Sequence, residues 1–145
     1  MEDNKMRDKI NHYKNELRQL TFMNNQVRKI NDELEAISVN LREVKAIDPS
    51  KEPGTGVNAG FNLTYWLEKE QLLIKERAIY QHRVDKVNDL LDSIEYQDRV
   101  ILTDVYIKNR TMENVALRSY MSIKKLRMKI DKIITRFIEN GPSCP

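Results

Sequence analysis

Several things are scarce in this chain, and each shortage removes a class of protein. There is one cysteine, Cys144, so no internal disulfide can form, and a reducing cytoplasmic setting is expected. No apolar run approaches the ~18 residues that a membrane span requires. The opening residues Met1-Glu2-Asp3-Asn4-Lys5-Met6-Arg7 carry charge with no hydrophobic stretch behind it, which argues against a signal peptide. The two histidines, His12 and His82, lie far apart, with no thiol or carboxylate pattern around either that would hold a metal. No serine, histidine and acid fall into a nucleophile arrangement, so no enzyme and no cofactor is expected. Glycine and proline number four each, and most sit together between residues 47 and 60. With aromatics at 7% and charged residues at 32%, what remains is a helix-rich composition.

Charge is unevenly spread. From Asp104 to Ile138 nine basic side chains face three acidic ones, a net of +6, so the rest of a chain of net +3 is slightly acidic. A polar, mildly acidic first part and a basic last part are a charge split that a solvated helix face or a polyanionic partner could each explain, and the helix arrangement favours the partner.

The apolar residues repeat with helical period. Met6, Ile10, Tyr13, Leu17, Leu20, Met23, Val27, Ile30, Leu34, Ile37, Leu41 and Val44 are three or four apart throughout, a heptad seam with one irregularity between Leu20 and Met23. A continuous helix over this stretch would be on the order of 60 Å long and could not bury its seam unaided. Asp48-Pro49 through Gly60 predicts a Pro/Gly-rich loop over 47–60. Its Pro53-Gly54-Thr55-Gly56 lacks the Gly-Lys-Ser/Thr ending of a phosphate loop. A second long helix is expected from about Asn62 to Ile94. Trp66, Leu73, Tyr80, Val84, Val87, Leu91 and Ile94 form its seam, widened by Leu63, Leu67, Ile74 and Leu90. The first helix can fold back on the second as an antiparallel hairpin or pair with its counterpart in a homodimer. Spacing alone leaves both open.

Three shorter helical patterns follow. Asp98 is placed to cap a helix carrying Val100, Ile101, Leu102, Val105 and Tyr106, and Asn109-Arg110 interrupts it. Thr111 caps the next, which turns Val115 and Ala116 inward, and Arg118 to Met121 make a turn. Ser122 caps a last helix whose stripe is Leu126, Ile130, Ile133 and Phe137. Its other surface carries Lys124, Lys125, Arg127, Met128, Lys129, Lys132 and Arg136. A capped basic helix suits the major groove of double-stranded DNA, where lysine and arginine reach phosphates and guanine edges. The DNA-binding candidates are Ser122, Lys124, Lys125, Arg127, Met128, Lys129 and Lys132, with Arg118 and Lys108 as phosphate contacts.

Four segments of this part resemble region four of bacterial sigma factors: Asp98-Arg99-Val100-Ile101, Tyr106-Ile107-Lys108-Asn109-Arg110-Thr111, Glu113-Asn114-Val115-Ala116 and Met121-Ser122-Ile123-Lys124-Lys125-Leu126. The layout of a polar helix, a Gly/Pro loop, a second long helix and such a module is similar to small phage-encoded transcription regulators of the ArpU/RinA type. The chain departs from the sigma pattern at Asn109, Asn114, Ser119 and Tyr120, and Tyr120 stands where a turn glycine is common. The resemblance implies an all-α protein. Residues 1–95 would form the hairpin, 96–138 a helix-turn-helix and 139–145 a disordered tail. It also implies a sequence-specific, phage or prophage regulator of late-gene activator type in the cytoplasm of a bacterial host. The alternatives are a co-regulator that binds RNA polymerase or another host protein without reading DNA, and a small DNA-packaging (terminase) subunit.

Overall fold

The computed structural model describes residues 2–46 and 53–140, and the side chains of 4–43 and 63–140. The chain is all-α, and there is no strand among the described residues. Helix α1 is Glu2–Ala46 and α2 is Pro53–Ser93. Then come α3 (Tyr96–Leu102), which runs on into a π turn (Thr103–Ile107), α4 (Met112–Arg118) and α5 (Ile123–Asn140).

Two boundaries differ from expectation. Residues 53–60 of the predicted loop belong to α2, and the others, 47–52, lie outside the described residues. Proline suits the first position of a helix, where its missing N–H has no partner to lose, and glycine lowers helix propensity without forbidding a helix. At the other end α5 takes in Glu139 and Asn140 from the expected tail, whose remainder, 141–145 with Cys144, lies outside the described residues.

Contacts divide the chain into two compact units whose limits fall inside both long helices. One comprises residues 23–82, the second half of α1 and most of α2. Here Ile30, Ile37, Leu41 and Leu73 form a core covered by Leu34, Leu63, Trp66 and Tyr80. The Arg77 guanidinium donates to Asn31 Oδ1 across the pair at 3.0 Å. Higher numbers on α1 meet lower numbers on α2, so the helices run antiparallel. Among the described side chains the seam is as spaced in the sequence, except that Leu67 and Ile74 are exposed; the side chain of Val44 lies outside them. They lie on the flank of α2 away from Trp66, Leu73 and Tyr80, and α1 covers only one side of α2.

The other unit joins residues 1–22 to 83–145. The α1–α2 pairing appears here as well, with Arg83 reaching Glu16 through two hydrogen bonds of 2.8 and 3.0 Å. Leu17, Val87, Leu90, Leu102, Leu126 and Ile134 are fully buried in this unit, so helices from both ends of the sequence share its core. Compactness therefore does not break at residue 95, because α3 to α5 close over the ends of the hairpin helices. Arg99 donates to the Leu91 carbonyl at 2.8 Å, satisfying an acceptor at the end of α2.

Asp98 does not cap α3. The helix begins two residues earlier, after an extended Glu95 that makes no side-chain cap, and the Asp98 carboxylate turns to Lys129 instead. The π turn is closed by Lys108 N–H donating to the Thr103 carbonyl at 2.8 Å. Its extra residue brings both Asp104 and Tyr106 into the core. Arg18 of α1 lies over the Tyr106 ring, 5.1 Å from its centre.

Leu17→Ala is expected to cost about 2–5 kcal/mol of stability, because the fully buried side chain leaves a cavity. Leu117→Ala, on the exposed side of α4, should stay within about 0.5 kcal/mol. Urea unfolding followed by circular dichroism reads both. Equal losses would show that Leu17 is not part of a packed core.

Candidate nucleic-acid interface

Local chemistry sets the starts of α4 and α5. Thr111 Oγ1 accepts from Asn114 N–H at 3.1 Å and caps α4. Ser122 Oγ accepts from Lys125 N–H at 3.1 Å, and the Ser122 carbonyl takes Leu126 N–H at 2.9 Å to open α5. Both caps lie where the sequence placed them, and each satisfies a donor that the helix cannot.

The turn between α4 and α5 closes by two crossed bonds. Met121 N–H donates to the Ala116 carbonyl at 3.0 Å, and Tyr120 N–H to the Leu117 carbonyl at 3.2 Å. This is a Schellman motif, which demands a left-handed residue at Tyr120, and Tyr120 has φ 55°. A side chain there costs roughly 1–2 kcal/mol where glycine would cost little. The tyrosine stands 97% exposed, so packing returns none of that cost. Asn109, also at φ 55°, plays the same part after the π turn, where asparagine is well tolerated.

Helix α5 is sharply two-sided. Leu126, Ile130, Ile133, Ile134 and Phe137 are buried against the other helices, as the spacing implied, with Ile134 added. Val115 and Ala116 of α4 are buried as expected. Opposite that stripe Lys124, Met128 and Lys132, four apart, form one exposed row. Lys125 and Arg136 run alongside it, and Arg127 lies on the other flank. Arg118 is exposed at the end of α4.

Two candidates have charged neighbours within the chain. Lys129 Nζ lies 3.8 Å from Asp98 Oδ1, so this lysine leans back toward α3 and away from the outward row. Lys108 Nζ is 3.8 Å from the buried Asp104 carboxylate, which Arg110 also approaches at 3.6 Å. Arg136, not among the DNA-binding candidates, stands on the same side as Lys125 and Lys132. Its spacing of four from Lys132 was the available signal.

The acid within this basic run, Asp131, is held by the start of α1. Lys14 Nζ lies 2.6 Å from Oδ1, and Arg7 donates to Oδ2 at 3.1 Å. Burial alone would raise its carboxyl. The adjacent Lys14 ammonium and the Arg7 guanidinium, which donates to it, outweigh that and hold it below the usual carboxylate range. Tyr13 meets Phe137 edge-on beside this contact, with ring centres 5.6 Å apart. Glu16 is likewise lowered, foremost by its hydrogen bonds from Arg83, which win over burial.

A groove of about 980 Å³ runs along α5 beside the α2–α3 junction. Ile94, Met128, Ile133 and Phe137 give it apolar lining; Lys125, Lys132 and Arg136 make one side basic, and Glu95 and Asp98 stand on the other. Among the described residues no group of three histidine, cysteine or acidic side chains could hold a metal. No helix among them is long and apolar enough to cross a membrane. No protein-family model, curated protein or solved structure matches the chain.

Tyr120→Gly should stabilise the protein by roughly 0.5–1 kcal/mol, the left-handed cost less the added freedom of the unfolded glycine. Thermal melting reads this, and a lowered midpoint would contradict the strain argument. Asp131 and Glu16 have depressed folded-state pKa values, so their stabilisation is present above the ordinary carboxylate range and lost as pH falls from there through the lowered folded-state values. The Asp131→Asn, Glu16→Gln double variant should therefore lose less stability than the wild type between about pH 5 and pH 2. Parallel acid limbs in urea titrations would rule that linkage out.

Proposed function

We propose that this protein binds duplex DNA through the outward face of α5 and acts as a transcription regulator. The observation that carries the reading is the charge of that face. Between Lys124 and Arg136 six lysines and arginines accompany one acid, and Arg7 and Lys14 neutralise that acid. A DNA backbone would therefore meet no uncompensated carboxylate on α5 itself between these cations. The major groove is wide enough for an α-helix, and the first turns of α5 lead with Lys124, Lys125, Arg127 and Met128. In this arrangement Lys124 and Arg127 reach toward base edges, and Met128 offers an apolar surface to a thymine methyl. Lys125, Lys132, Arg136 and Arg118 contact phosphates. The capped pair α4–α5 with its tight turn supports a helix-turn-helix use of these residues. The likeness of its motifs to sigma region four points the same way.

The groove beside α5 favours a second reading. Its apolar lining and charged rim suit a segment of a partner protein such as RNA polymerase, and the chain would then be a co-regulator that does not read DNA.

Binding to fragments of the source genome, followed by fluorescence anisotropy at rising salt, tests the first reading. Affinity is expected to fall steeply with salt. Lys124→Ala and Arg127→Ala should each weaken binding on the order of tenfold, and Lys29→Ala on α1 should not. If no duplex is bound above background, or neither α5 variant matters, the DNA reading fails. Capture of polymerase by a chain without DNA affinity would then favour the co-regulator.

A further inference from the structure

We propose that a second copy of this chain docks on α2 along the stripe Tyr65, Leu72 and Ile79. Each turn of the repeat on this helix carries two adjacent apolar residues, Tyr65-Trp66, Leu72-Leu73 and Ile79-Tyr80. The second of each pair serves the hairpin, for Leu73 is in its core and Trp66 and Tyr80 pack on it. The first of each pair is left outside. Tyr65 is 51% exposed, Leu72 67% and Ile79 62%. Seven-residue spacing lines them up on one face, beside the one that α1 covers.

The charges beside this stripe identify the occupant. Glu68 and Lys75 border it on one side, Lys69 and Glu76 on the other. None of the four has an ion-pair partner among the described residues, although Lys69 lies over the Tyr65 and Trp66 rings. The pattern complements itself. An antiparallel copy centred on Leu72 sets Tyr65 against Ile79, Leu72 against Leu72, Glu68 against Lys75 and Lys69 against Glu76. A parallel copy in register sets Glu68 against Lys69 and Lys75 against Glu76. An acidic or a basic partner helix would leave half of these charges facing their own sign, whereas a copy of the stripe satisfies all of them. Such a contact is the same patch on both subunits, as a closed two-fold pair requires.

The inference is independent of the DNA reading, and its test contains no DNA. Sedimentation equilibrium of the full chain over a wide concentration range should show a mass rising to twice that of one chain. Leu72→Glu and Ile79→Glu should hold the mass at one chain while circular dichroism keeps its helical signal. Leu72→Gln, which keeps helix propensity without adding charge, gives the same readout if glutamate disturbs folding. Leu117→Glu, exposed on α4, should associate as the wild type does. A wild type that stays single at every concentration overturns the proposal, as does a Leu72→Gln variant with undiminished association.

Discussion

A helix of 45 residues with an apolar seam has no stability in water until something covers that seam. In this protein the cover is α2, and the rest of the structure follows from the match. The pairing persists in both compact units, through Ile30, Ile37 and Leu73 in one and through Glu16 with Arg83 in the other. In the second unit the paired helices also furnish a surface on which α3, α4 and α5 close. These helices are short or sharply amphipathic and gain their order from that surface. Without Leu17, Val87 and Leu90 beneath it, α5 would have less apolar area to bury and a less defined direction for its lysines.

Much of this was legible because helical period and capping are local rules. The residues spaced three and four apart on α1 are largely the ones buried, with Leu17, Ile30 and Ile37 as clear cases. Thr111 and Ser122 cap where expected, since a hydroxyl at the start of a helix answers a donor only three residues on. The stripe of α5 was readable for the same reason. Leu67 and Ile74 were misassigned because period tells that a face is apolar without telling how wide a face the partner covers.

What stayed hidden depends on residues remote in sequence or on backbone detail. Nothing in the spacing of Asp98 says that it turns to Lys129 rather than to its own helix start. The π turn at Thr103–Ile107 inserts a residue that a regular period cannot show. The site was legible as a list of basic residues on one helix, but not in its division into an outward row and inward-leaning flanks. The neutralisation of Asp131 by Arg7 and Lys14 joins positions 124 and 117 apart, beyond the reach of any local rule.

That last contact bears on how the chain is made. The start of α1 leaves the ribosome well before the acid it grips, 124 residues further on in α5, so this contact waits for α2 to α5 to be made. Until α2 appears, the seam of α1 faces water or whatever chaperone is present. Closing so long a loop costs entropy before any contact repays it. The order of synthesis thus makes the α1–α5 clasp later than the α1–α2 pairing, and the basic helix takes its seat on a hairpin already made.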